Sequence, residues 1–253
     1  MKAIVLAAGY ATRLYPLTEK QPKALLPIGG KAILGYIMEK LDVLPECEEI
    51  LIISNHKYIR HFTEWLGQWA GRLPVALLDD GSEDVTDSLG AIGDIVHTIR
   101  ARGIDEDVLI VAGDNFFDFP LDGFLLACRE KGRDGVCAGR VTDKNRLRQM
   151  GVVSLDQRGD ILHIEEKPAL PRSDLALYAI YYYTRATLRL FDLYAREGNV
   201  MDAPGHFLVW LRRQKPILAY LFEGECHDVG TPESYGALRE RFDRSATENE
   251  VKS

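Results

Sequence analysis

"LAAGYATRLYPLTEKQPKALLPIGGK", Leu6 to Lys31, leaves an apolar strand and turns at once into small residues and fixed cations. The strand reads as Ala3 to Ala7, and the loop departs from its carboxyl end. Ligands of open α/β sheets gather outside the carboxyl ends of the strands, so the loop's position suits a bound group. Gly9 and the small Ala7, Ala8 and Ala11 let backbone N–H groups come close to an anion. Arg13 offers a planar fork to two phosphate oxygens, and Lys23, bracketed by Pro22 and Pro27, offers a point charge. A lone glycine turn with solvated cations would look similar, so the rest of the chain has to decide.

Outward from that strand, short apolar runs alternate with helical periodicity. Strands are expected at Glu49 to Ser54, Pro74 to Leu78 and Val108 to Ala112. Helices are expected at Ile33 to Leu44, Tyr58 to Trp69 and Ser88 to Arg100. This rhythm predicts an α/β fold with a Rossmann-like, mostly parallel central sheet and helices on both faces. The second half breaks the rhythm. Gly135 to Val141, Gly151 to Leu155, Ile161 to Glu165 and Leu175 to Tyr183 read as strands with few helices between them, which predicts a smaller β-rich lobe. Helices return at Ala186 to Glu197, at His206 to Arg213 and from Pro232, with a strand at Ile217 to Phe222. One domain over 1–243 is expected, its first part about 1–131 and its second about 132–243, followed by a flexible tail at 244–253.

Composition narrows the function classes. An apolar content of 46% in 253 residues supports a sizeable core. The formal net charge of −7 disfavours a nucleic-acid partner, which would normally require a basic footprint. Cys47, Cys128, Cys137 and Cys226 are scattered without a C-x-x-C pair and read as reduced thiols. Met1 to Leu6 enters a strand directly, and no apolar run approaches the roughly 20 residues of a membrane span. The cytoplasm is the expected compartment, without membrane attachment.

The opening stretch, taken whole, resembles the signature of the sugar-phosphate nucleotidyltransferases, which make NDP-sugars. It agrees with L-A-A/G-G-x-G-T-R-L-x-P-L-T at Leu6, Ala8, Gly9, Thr12, Arg13, Leu14, Pro16, Leu17 and Thr18. The second half of the signature, P-K-x-L-L-P-I, is met by Pro22, Lys23, Leu25, Leu26, Pro27 and Ile28. Ala11 departs from it, standing where a second glycine is usual. "VLIVAGDN" supplies Asp114, and "HDVGTPESY" supplies Asp228; the resemblance makes these two carboxylates the ligands of Mg²⁺. Either aspartate alone would read as a helix cap or a turn residue.

"IEEKPALP" carries the matching E-K-P at Glu166, Lys167 and Pro168. The resemblance gives Lys167 the sugar-1-phosphate and Glu166 the sugar hydroxyls, with Gly151 of "MGVV" lining the sugar pocket. It assigns the nucleotide to Leu6, Ala8, Gly9, Tyr10, Ala11, Thr12 and Arg13, with Leu89 and Gly90 of "DSLGAIGDI" beside the base. The acidic run Asp79, Asp80, Glu83, Asp84 and Asp87 reads as a solvated loop, and Tyr181 to Tyr183 as a covered strand. The implied reaction is NTP plus sugar-1-phosphate giving NDP-sugar plus pyrophosphate, with Arg13, Lys23 and Lys167 as the catalytic cations. Among bases, dTTP or UTP is favoured on family frequency. A homo-oligomer is compatible with the resemblance, although no stretch identifies an interface. Two other readings remain open at this point: a cytidylyltransferase acting on a non-sugar phosphate such as phosphocholine, and a non-catalytic nucleotide- or sugar-phosphate-binding regulator. A Rossmann dehydrogenase is disfavoured, because Gly-x-Gly-x-x-Gly is absent from the opening loop.

Overall fold

The computed structural model describes the backbone of residues 1–250 and the side chains of residues 1–242. The expected tail, 244–253, lies beyond the described side chains, and its last three positions lie outside the description altogether. In chain order the first half contains β1 (Lys2–Leu6), β2 (Pro27–Ile28), β3 (Lys31–Ala32), α1 (Ile33–Asp42), β4 (Glu49–Ser54), α2 (Ile59–Leu66), β5 (Val75–Asp79), α3 (Gly90–Arg102), β6 (Val108–Ala112), β7 (Asn115–Phe117) and α4 (Asp122–Lys131). The second half contains β8 (Asp134–Arg140), α5 (Lys144–Leu147), β9 (Gly151–Leu155), β10 (Ile161–Glu166), β11 (Leu175–Tyr183), α6 (Arg185–Arg196), α7 (Pro204–Leu211), β12 (Ile217–Leu221), β13 (Cys226–Asp228) and α8 (Pro232–Glu250).

Among the described residues one nine-stranded sheet runs β10-β9-β11-β6-β1-β4-β5, with β8 joined to β11 and β12. β1 pairs in parallel with β4 and with β6, and β4 pairs in parallel with β5, as the alternating pattern predicts. The direction changes at β11, which lies antiparallel to β6. Strands β8 to β12 therefore extend the same sheet instead of forming a separate one, which makes it mixed, while β13 pairs with β7 in a two-stranded sheet.

The unbroken apolar runs have a simple cause: both faces are covered. Ala3 and Val5 of β1, with Ile50 and Ile52 of β4, join a core containing Ile37, Phe62 and Phe124. Ile4, Leu51 and Ile53 point the other way, into a core with Ile95, Phe191 and Phe207. Helix α4 was not expected, although its signal is present. Phe124, Leu125 and Cys128 share a buried face, and Gly132 ends the helix in the left-handed conformation with φ +58°. The four cysteines are free and buried, as expected. No helix among the described residues is long and apolar enough to cross a membrane.

Register decides where the chemistry gathers. Leu6 is level with Ile53 of β4 and Ala112 of β6, so the chain following each of these strands emerges at one edge. That edge opens into a cleft of about 530 Å³.

Candidate functional site

The loop after β1 forms one wall of the cleft. Asn55, fully buried, donates from Nδ2 to the Ala8 carbonyl at 2.7 Å, and its Oδ1 accepts from the Tyr58 N–H at 3.0 Å. Thr18 Oγ1 donates to the Ala11 carbonyl at 2.8 Å. The N–H groups of Ala8, Gly9, Tyr10 and Ala11 have no acceptor among the described residues, so they remain available to a ligand. A Cβ at Gly9 would meet no protein atom within 4 Å, so the space beside it belongs to the cleft. Ala11, the departure from the usual glycine, adopts φ +49°. The left-handed backbone that glycine favours is thus kept with a methyl group in place, at a cost of about 1–2 kcal/mol.

Two distant carboxylates meet in front of this loop. Gly113 donates its N–H to the Leu6 carbonyl at 2.8 Å, and a Cβ there would sit 2.9 Å from the same oxygen. Only glycine lets the two chains approach so closely, and Asp114 follows directly. β7 then pairs antiparallel with β13, setting Asn115 opposite Asp228. Lys23, presented on a short turn after Pro22, ion-pairs with Asp114 and stands 3.9 Å from Asp228 Oδ1. Both carboxylates thus converge on one ammonium. Burial works against that charge, but Asp114 and Asp228 outweigh it and hold Lys23 above the usual lysine range. Burial and then repulsion from Asp114 raise Asp228, against the pull of Lys23 and Arg13. Arg13 itself makes no hydrogen bond or ion pair with the described residues, and its exposed guanidinium lines the cleft.

The opposite wall comes from the second half of the chain. Glu166 closes β10 beside Gly151 of β9, its register partner. A Cβ on Gly151 would lie 3.1 Å from Glu166 Oε2, and a Cβ on Gly205 only 2.0 Å from it. The carboxylate is therefore wedged between two glycines, at the start of α7, where the helix dipole favours negative charge. Burial raises Glu166, opposed by Lys167 and His206. Lys167 adopts φ +48°, unusual for a residue with a side chain, and its N–H donates to the Met150 carbonyl at 3.1 Å. Its ammonium lies 4.0 Å from Glu166 Oε1, about half exposed, in the cleft.

The sequence profile described as "Nucleotidyl transferase" matches residues 2–244. The chain belongs to the nucleotidyl transferase family. Among its relatives, the UTP--glucose-1-phosphate uridylyltransferase AglF of Haloferax volcanii is 27% identical over 98% of this chain and 99% of its own length. The glucose-1-phosphate thymidylyltransferase of Streptomyces antibioticus is 32% identical over 74% of this chain and 50% of its own. The chain thus spans about half the length of that relative and nearly all of the haloarchaeal one. A solved UDP-glucose pyrophosphorylase complexed with UDP-glucose shares the fold, with a TM-score of 0.80 at 20% identity over 96% of this chain and 98% of its own.

For this family member, every site residue expected from the sequence lines the cleft except Leu89. Leu89 precedes α3, is partly exposed, and lies against Gly93 of its own helix, so the backbone turn at Gly90 is what reaches the cleft. Gly90 has φ +73°, and a Cβ would stand 2.6 Å from the Met201 carbonyl. The N–H groups of Ala91 and Ile92 donate to the carbonyls of Asp202 and Met201 at 3.0 and 2.9 Å. This ties α3 to the segment that starts α7. Sequence reasoning missed Gly205 and Asp94, both of which line the cleft, as well as the supporting Asn55 and Gly113. The "PG" at Pro204 was a legible helix start, whereas nothing local marks Gly205 as the neighbour of Glu166. Tyr181, expected only as covered strand, also reaches the cleft floor.

The acidic loop divides in two. Asp87 accepts from the Glu83 and Asp84 N–H groups, and Asp84 accepts from Thr86, so these carboxylates organise their own exposed turn. Asp80 and Asp94 are buried instead. Burial, then the Asp80 carboxyl, raises Asp94 to about 8. A folded chain holding this proton loses stability as pH rises from about 4 to about 8, because the unfolded carboxyl ionises at the bottom of that window. Asp94→Asn is therefore expected to melt about 4 °C or more above the parent at pH 8 and close to it at pH 4, as read by calorimetry.

Proposed function

We propose that this chain couples an NTP to a sugar-1-phosphate, giving an NDP-sugar and pyrophosphate. The observation that carries the reading is the convergence of Lys23, Asp114 and Asp228 in one cleft with Arg13 on one side and Lys167 with Glu166 on the other. The sugar phosphate's oxygen attacks the α-phosphorus in line; the bond to the β-phosphate oxygen breaks, and pyrophosphate leaves with its electron pair. No side-chain base is required, because the attacking phosphate is already ionised. Alignment and charge neutralisation remain for the protein to supply.

Arg13 takes the departing β- and γ-phosphates. Lys23 steadies the transferring phosphoryl group. Lys167 holds the nucleophilic phosphate, and Glu166 accepts hydrogen bonds from the sugar hydroxyls. Two hard carboxylate oxygens that already share one cation fit Mg²⁺, so Asp114 and Asp228 would hold it, and the ion would supply charge neutralisation at the α-phosphate. The Haloferax and Streptomyces relatives, a uridylyltransferase and a thymidylyltransferase of glucose-1-phosphate, favour UTP or dTTP with glucose-1-phosphate or a similar hexose phosphate. The cytoplasm, with its nucleoside triphosphate pool, is the compartment this reaction needs.

The test is a pyrophosphate-release screen crossing dTTP, UTP, CTP, GTP and ATP with sugar-1-phosphates and phosphocholine. Release is expected only with an NTP, a sugar-1-phosphate and Mg²⁺ together. Release with phosphocholine alone would identify a cytidylyltransferase of another kind, and tight binding without any turnover would identify a regulator. A narrower prediction concerns the sugar wall. Gly205→Ala is expected to push Glu166 aside and lower kcat/KM for the sugar phosphate by about 10–100-fold, with KM for the NTP little changed. Equal losses for both substrates in steady-state kinetics would make Gly205 a folding residue only.

A further inference from the structure

The nucleoside end of the cleft contains a buried pair of acids that the transfer reaction does not use. Asp94, one turn into α3, is 5% exposed and lines the cleft, as do Tyr10, Val85 and Ser88. Its Oδ1 is buried without any donor among the described residues. Asp80 follows β5 and is 8% exposed. Its Oδ1 accepts from the Ser82 N–H and hydroxyl, both at 2.7 Å, while its Oδ2 is likewise buried and without a donor. Ser82 Oγ in turn meets the Tyr10 hydroxyl at 3.0 Å.

The two carboxyls are near enough to interact, and each leaves one buried oxygen without a donor, so a single proton shared between them would satisfy both. Burial and the Asp80 carboxyl, which raise Asp94 to about 8, keep that proton in place near neutrality. On whichever side the proton sits, the second oxygen of Asp94 can only accept. The neighbouring loop contributes the opposite character, with free backbone N–H groups from Ala8 to Ala11 and two of its carbonyls already engaged by Asn55 and Thr18.

A base suited to this surface carries a ring N–H for the single acceptor and carbonyl oxygens for the flanking donors. Uracil and thymine present that pattern, one N–H between two carbonyls. Cytosine and adenine have no ring N–H on the pairing edge, and guanine sets a second donor beside its own. We propose that Asp94, held by Asp80, is a specificity-determining residue that accepts the N3–H of a uracil or thymine nucleotide. The inference rests on the nucleotidyl-transfer reading for the placement of the nucleoside at this end.

Calorimetric titration of the full chain with UTP and with 3-methyl-UTP, whose N3 carries a methyl group in place of hydrogen, tests it. The methylated nucleotide is expected to bind about 10–100-fold more weakly, the loss of one buried hydrogen bond. Asp94→Ala should weaken UTP by a similar factor and remove the difference between the two ligands, and Asp94→Asn, which retains a carbonyl acceptor, should recover most of that loss. Equal affinity of the parent chain for both nucleotides would overturn the proposal, as would an Asp94→Ala loss that is the same for both. The pyrophosphate screen separates the two levels. Preferred turnover of GTP, CTP or ATP would remove the base assignment and leave nucleotidyl transfer standing. Absence of turnover with every NTP would remove the transfer reading, and the binding ratio would still decide the role of Asp94.

Discussion

Asp114→Asn and Asp228→Asn are each expected to cut pyrophosphate release by about 10²–10³-fold while the chain stays folded, as for the loss of one charged group at a transition state. Asparagine keeps the size of aspartate and deletes the charge that a hard cation prefers. It also caps helices and turns well, so a purely structural aspartate would tolerate the exchange. The two variants should differ in one respect. Asp114 is the ion-pair partner of Lys23, whereas Asp228 stands 3.9 Å away, so Asp114→Asn also releases the lysine and should have the larger effect. Because both carboxylates serve one locus, the double variant should fall far short of the product of the single losses. Raising Mg²⁺ should restore part of the activity of either single variant. Near-normal, Mg²⁺-saturable turnover in one of them would remove that residue from the site.

The fold was legible wherever local pattern and burial agree. Ile4, Leu51 and Ile110 occupy one face of the sheet and Val5, Ile52 and Val111 the other, so the runs read as doubly covered strands. The attachment of β11 to β6 was not legible, since antiparallel pairing across a gap of more than sixty positions leaves no local mark. Helix α4 could have been read from Phe124, Leu125, Cys128 and Gly132. In the site, the gapped loop motif brought out Arg13 and Lys23, and the matching "GDN" and "DVGTP" brought out Asp114 and Asp228 as a pair. Asp94 resembled any polar residue of an amphipathic helix, and only its burial without a donor sets it apart. Gly205 was hidden because the atom it makes room for, Glu166 Oε2, comes from a strand on the far side of two intervening elements.

Arg13→Ala and Lys167→Ala are expected to separate the two substrates. Arg13 has no partner among the described residues and lies on the wall formed by the loop after β1, so its removal should weaken use of the NTP. Lys167 stands against Glu166 on the other wall, so its removal should weaken use of the sugar phosphate. Each variant deletes a cation from a different polyanion, and a loss of about 10²-fold or more in kcat/KM is expected for the substrate concerned. Lys167 carries a second constraint: its φ of +48° is imposed by the Met150 carbonyl and by the turn into Pro168. Alanine must adopt the same backbone, so the strain is common to both chains and the comparison reports the ammonium alone. Lys167→Arg offers a further discrimination. A guanidinium preserves the charge but is broader and forked, so it should recover part of the NDP-sugar yield with a raised KM for the sugar phosphate. Initial-rate kinetics with each substrate varied in turn would read all three variants. A shared, equal defect in both substrates for Arg13→Ala and Lys167→Ala would mean that the two walls of the cleft do not divide the work between them.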